Sequence, residues 1–119
     1  MPQDRAIDPS AVTAAQKQML SGRSERDARR ILESLCDPTR LKIVRALEET
    51  PLAASDLASV IGRTRSATSQ HLRVLREIGA VTATRTGNVV RYRLAEGTVA
   101  TVIRDASRAF DRLGGDAAE

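Results

Sequence analysis

Between Thr64 and Arg76 the chain sets hydrogen-bonding and cationic side chains at intervals of three, four and seven: Ser66, Ser69, Gln70 and Arg73, with Arg65 just ahead of them and Arg76 beyond. Those intervals return to one face of an α-helix. Side chains of these types on one face can read nucleic-acid base edges. A guanidinium such as that of Arg65 forks onto a guanine edge, and the amide of Gln70 matches an adenine edge, each through two parallel hydrogen bonds. Ser66 and Ser69 are short enough to meet a phosphate or a base, and Arg73, a turn further on, suits a phosphate. Thr64 caps the helix and completes this candidate DNA-binding set. A second group, Arg85, Asn88 and Arg91, flanks Gly87, where guanidinium and amide donors reach a narrow minor groove or its backbone.

The charge follows the same residues. From Val60 to Arg93 there are seven arginines against Glu77 alone, a local balance of +6 within a chain whose net charge is +4. The remainder is therefore net −2, and a basic surplus segregated in this way is the footprint of a surface that meets phosphates.

Other chemistries are poorly supplied. The single cysteine, Cys36, cannot form a disulfide within the chain, and the single histidine, His71, gives a metal little to bind. No acid–base or oxyanion constellation accompanies them, so the expectation is a non-enzyme with no cofactor and no metal site. His71 falls on the apolar side of its helix and reads as a core histidine bonded to a nearby backbone group. Cys36 stands just before an N-cap aspartate. A helix N-terminus lowers a thiol's pKa, which makes Cys36 a candidate thiol sensor. The competing reading is a small apolar residue filling a helix junction, favoured because thiol switches usually carry a second, resolving cysteine.

The positioning elements follow from caps and periodicities. Asp8-Pro9 opens a helix running to about Leu20, with Val12, Ala15, Gln16 and Met19 on one face. A second helix starts near Ser24 with the stripe Ala28, Ile31, Leu32, Leu35. Asp37-Pro38 opens a third, ending near Glu49, and Pro51 breaks the chain. A short helix from Ala54 to Val60 ends at Gly62, a residue suited to left-handed backbone, and after a tight turn the helix from Thr64 to Gly79 follows. Ala80–Arg85 and Val89–Leu94 form a two-stranded hairpin around Thr86-Gly87-Asn88. A last helix from Glu96 carries Val99, Val102, Ile103, Ala106, Phe110 and Leu113 on one stripe, and Gly114-Gly115 ends it.

A short helix, a tight turn, a polar-faced helix and a glycine-tipped hairpin in that order make a winged helix-turn-helix. The expected fold is mainly α with a two-stranded β wing. At 119 residues and 41% apolar, with Tyr92 and Phe110 the only aromatics, the chain has room for one domain with a small aliphatic core. That domain is placed at 9–113, between flexible tails at 1–8 and 114–119. The terminal helices need partners for their apolar stripes, and a homodimer supplies them, setting two recognition helices about 34 Å apart, one turn of DNA. No run of 18 apolar residues and no leader pattern occur, so the expectation is a cytoplasmic protein with no membrane partner. The competing function is a winged-helix protein-interaction module without specific DNA binding.

Three stretches carry a family resemblance: Leu35 to Ile43 (LCDPTRLKI), Ser66 to Val81 (SATSQHLRVLREIGAV), and Arg85-Thr86-Gly87-Asn88 through Tyr92-Arg93-Leu94. Over about residues 24–112 the chain resembles the arsenic-repressor (ArsR/SmtB) family of bacterial winged-helix regulators. The resemblance implies a homodimer joined through its terminal helices, binding double-stranded DNA at an inverted repeat and repressing transcription until an inducer weakens its grip. The family's metal-binding cysteine pair would fall at Ala53 and Ser55, which cannot ligate a soft metal. Thr98 stands where a histidine of the last-helix site is expected, and Arg108 and Ala109 where the second would be. The implied inducer is therefore an unidentified small species acting elsewhere than at those two sites.

Overall fold

The computed structural model describes residues 5–118. The first four residues of the expected N-terminal tail, and Glu119, lie outside them. The elements are α1 (Pro9–Gln16), α2 (Gly22–Ser34), α3 (Pro38–Glu49), β1 (Leu52–Ala53), α4 (Ala54–Ile61), α5 (Arg65–Glu77), β2 (Val81–Thr86), β3 (Val89–Leu94) and α6 (Thr98–Ala118).

Local chemistry fixes most helix starts. Asp8 Oδ1 accepts from the Ala11 N–H at 3.1 Å and Asp37 Oδ1 from the Thr39 N–H at 2.8 Å, each followed by a proline whose missing N–H costs the first turn nothing. Ser21, rather than Ser24, caps α2: its Oγ accepts from the Ser24 N–H at 3.1 Å, so α2 begins at Gly22. The first helix stops at Gln16. Gln18 and Met19 then bond three residues back, to Ala15 and Gln16, which tightens the chain out of α-geometry.

The hairpin stands with a two-residue turn, since Thr86 pairs with Val89 and Gly87 takes φ +63°. A third strand joins it. Leu52 pairs with Tyr92 and Ala53 with Arg91, giving an antiparallel sheet of order β1-β3-β2. The core draws Ile43, Val44 and Leu47 from α3, Leu57 and Ile61 from α4, Leu72 and Leu75 from α5, Ala80 and Val81 beside the wing, and Ile103 from α6.

The last helix departs from expectation twice. Gly114 does not take the left-handed backbone a helix terminator needs, and α6 continues to Ala118 through residues read as a tail. Its apolar stripe also divides. Ala100, Ile103 and Ser107 are buried on the side facing α3, whereas Val102, Phe110 and Leu113 are exposed at 40%, 47% and 67%, because α6 packs chiefly on α3 and its other side is left to solvent among the described residues. Leu32 of α2 is exposed too, and α1 buries no residue at all. The result is an elongated body of 63 × 39 × 25 Å with a radius of gyration of 18.9 Å. A compact chain of this length would have about 13–14 Å. Among the described residues no helix is long and apolar enough to cross a membrane.

Candidate nucleic-acid interface

The turn between α4 and α5 is built entirely from backbone and cap bonds. Gly62 takes φ +69° and ψ +39°, and its N–H and that of Arg63 both donate to the Ala58 carbonyl. Left-handed geometry at this point sends the chain directly into the next helix. Thr64 then caps α5: its Oγ1 accepts from the Ala67 N–H at 3.1 Å, and its carbonyl accepts from the Thr68 N–H at 3.0 Å and the Thr68 hydroxyl at 2.8 Å. Thr68 is completely buried, with its hydroxyl satisfied inside the helix.

That burial sets the orientation of α5. With Thr68, Leu72 and Leu75 inside, Arg65, Ser66, Ser69, Gln70, Arg73 and Arg76 are all exposed. The structure thus brings the helix half of the candidate set onto one solvent face. The Thr64 hydroxyl is already engaged in the cap. The Nε of Arg73 lies 3.7 Å from Glu77 Oε1, a loose pair with side chains 80% and 68% exposed, which leaves the guanidinium free to turn outward.

The wing residues do not share one surface. Directly opposed residues of an antiparallel pair point to the same side, and neighbours along a strand alternate. Arg91 pairs with Thr84 and Arg93 with Thr82, so these four line the outer face of the hairpin. Arg85 pairs with Val90 and belongs to the other face, with Ala83 and half-buried Tyr92. It donates from Nε to the Gly87 carbonyl at 3.1 Å and so braces the turn. Asn88 is exposed at the tip. Arg93 joins Arg91 on the outer face although the candidate set omits it; the two-residue period from Arg91 is the signal that places it there.

His71 and Cys36 both depart from the readings favoured for them. His71 finds side chains rather than a backbone group: Arg40 Nε donates to its Nδ1 at 3.4 Å, and its Nε2 lies 3.6 Å from Asp37 Oδ2. The cap bond from Thr39 holds the Asp37 carboxyl below its ordinary pKa, with smaller help from His71 and Arg40. Cys36 is exposed, its Sγ 3.4 Å from the Leu32 carbonyl, so it does not fill a core.

Residues 37–83, from the cap of α3 to the middle of β2, match the profile of the bacterial regulatory protein, arsR family. The transcriptional repressor SmtB homolog of Synechocystis sp. is 30% identical over 105 residues, covering 88% of this chain and 74% of that protein. This chain belongs to the ArsR family. Its similarity to the HTH-type transcriptional regulator NmtR of Mycobacterium tuberculosis is higher but shorter, 41% identity over 75 residues, or 63% of this chain. The match spans 62% of NmtR's own length. Among solved ArsR-like structures, the homodimeric winged helix-turn-helix DNA-binding domain of a possible ArsR-family regulator from Mycobacterium bovis superposes with a TM-score of 0.67 at 26% identity, covering 79% of this chain and 90% of that one. The ArsR-family relatives are named as transcriptional regulators and repressors, not as enzymes. Their shared fold is the winged helix-turn-helix expected from the sequence.

Proposed function

We propose that this chain is a homodimeric, sequence-specific DNA-binding repressor that reads an inverted repeat through α5 and steadies itself with the wing. The observation that carries this reading is the orientation of α5: apolar residues locked inside, Arg65, Ser66, Ser69 and Gln70 presented together at its N-terminal, groove-entering part, and Arg73 on the same face a turn further on. Arg65 and Gln70 are the base-reading residues, Arg73 grips phosphate, and Asn88 with Arg91 contacts the flanking backbone or minor groove. Arg85 acts on DNA through the turn it braces as well as through its charge. Thr64 contributes the cap that fixes the helix start.

The homodimer is supported by the homodimeric state of the M. bovis domain and by the apolar side chains left exposed on α2 and α6. Release requires an inducer that acts away from positions 53, 55, 98 and 108–109. The exposed thiol of Cys36, beside the Asp37 cap, is the candidate entry point for it.

The test is fluorescence anisotropy of reduced, chelator-treated protein on DNA from upstream of its own gene, with a scrambled duplex as control, across a salt series. Tight, sequence-preferring binding that falls steeply with salt is expected, by about 0.9 in the logarithmic slope for each phosphate contact. Equal, weak affinity for both duplexes would overturn the reading in favour of a protein-interaction module.

A further inference from the structure

One polar cluster lies behind the reading face and is not used by it. Asp37, Arg40 and His71 meet where the N-terminus of α3 packs on α5, 31 residues apart in sequence between Arg40 and His71. Asp37 serves two helices at once: Oδ1 caps α3 through Thr39, while Oδ2 faces His71 Nε2. Arg40, one turn into α3, supplies Nε to the other ring nitrogen. An Nδ1 that accepts from Arg40 leaves the proton on Nε2, the side of the Asp37 carboxylate, so the two contacts specify one tautomer and one ring orientation. His71 directly follows Gln70, and its side chain is only 19% exposed. It cannot reach a base as Gln70 does.

The far side of α3 packs on α6. Arg45 donates to Asp111 Oδ2 at 2.8 Å and to the buried Ser107 hydroxyl at 3.2 Å, and Arg108 lies 3.3 Å from Glu48. The helix bearing Asp37 and Arg40 is thus held to α6 by apolar packing with these polar contacts at its edge, and the ring of His71 sits between that helix and α5.

We propose that His71 is a positioning residue: clamped by Asp37 and Arg40, it sets the roll and tilt of α5 on α3, and with them the alignment of Arg65 and Gln70 to base edges, without touching DNA. The inference rests on the DNA-binding function proposed above and adds how its reading helix is held. Apolar packing alone leaves a helix some freedom to roll, because Leu and Ile contacts are non-directional. Two directional polar contacts on one planar ring, at 3.4 and 3.6 Å, restrict that freedom.

A double-mutant cycle on the full chain tests it, with Asp37→Asn and His71→Leu as the arms. Asparagine caps a helix about as well as aspartate, and leucine suits a half-buried site, so each change removes the clamp while leaving the fold. Each single variant is expected to lose about three- to tenfold in affinity for the preferred duplex, the double variant no more than the worse single, with little change on scrambled DNA. The salt slope should stay at its wild-type value in both singles, the urea midpoint should stay in His71→Leu and fall slightly in Asp37→Asn, which loses the ionised cap, and His71→Gln, which keeps a donor toward Asp37, should recover part of the affinity.

Losses that multiply in the double variant, a slope reduced by about 0.9 for each His71, or full affinity in both singles would each overturn the clamp. Nitrogen NMR of the His71 ring tests the clamp without DNA: an Nε2–H tautomer whose Nε2 signal moves in Asp37→Asn is expected, and an Nδ1–H tautomer would refute it. If the wild-type protein showed no operator preference, the proposed DNA-binding function would fail, and the ring tautomer would still decide the clamp.

Discussion

Replacing Arg73 by alanine separates the two roles an exposed arginine can play. In the free protein its ionic partner is Glu77, 3.7 Å away with both side chains mostly in solvent. Such a pair one helical turn apart contributes about 0.3–0.5 kcal/mol at most, so unfolding should hardly change. On DNA the expected loss is one phosphate contact per subunit, two per dimer, which lowers the logarithmic salt slope by about 1.8. Between about 50 and 200 mM salt, the wild-type advantage over Arg73→Ala should therefore shrink by about tenfold. The loss at any one salt concentration should be similar on preferred and scrambled duplexes. Anisotropy titrations at four or five salt concentrations measure both quantities. An unchanged slope with weakened binding would refute the phosphate assignment, and a loss confined to the preferred duplex would make Arg73 a base reader.

Gln70→Ala should behave in the opposite way, costing about 1–3 kcal/mol on the preferred duplex, relaxing base preference at one position per half-site and leaving the salt slope alone; competition against singly substituted duplexes checks it. Phe110→Asp places a charge on the uncovered side of α6, where Phe110 is 47% exposed in the single chain. Sedimentation should show it shifting the protein from dimer to monomer, and an undisturbed dimer would place the interface elsewhere. The cap bonds hold the carboxyls of Asp8 and Asp37 below 3.8 in the folded state, so they stabilise the fold above that pH and the contribution disappears as pH falls through the folded values. Melting temperatures between about pH 5 and 3 should thus fall more steeply for wild type than for Asp37→Asn. Cys36→Ser should bind the operator as wild type does but resist release by thiol oxidants, and equal release of both proteins would remove Cys36 as the inducer's entry point.

Much of the candidate interface was legible because its determinants are local. A helix face needs only the 3.6-residue period, so the division between Ser66, Ser69, Gln70 and Arg73 on one side and Leu72 and Leu75 on the other can be read from spacing. Caps act over three residues, which is why Asp8, Asp37 and Thr64 fall where the sequence places them. The sharp turns at Gly62 and Gly87 need a positive φ that few other residues adopt. Even local signals fail when two candidates compete: Ser21 and Ser24 can both cap, and the bonds that form choose Ser21.

The order of the helices and the hairpin, the two faces of α5, the basic stretch and the glycine turns thus follow from the sequence, since each depends on residues within about one helical turn or one hairpin. Tertiary structure decided whatever depends on a distant neighbour. Leu52-Ala53 is a strand only because β3 lies beside it, and two residues carry no period of their own. The side of α6 that is buried is the side α3 covers, which leaves Phe110 outside although its spacing groups it with Ile103. Strand register put Arg85 and Arg91 on opposite faces of the wing. The partners of His71 lie at the start of another helix, so packing supplied them: folding alone brings Arg40, 31 residues away in sequence, to within 3.4 Å of the ring.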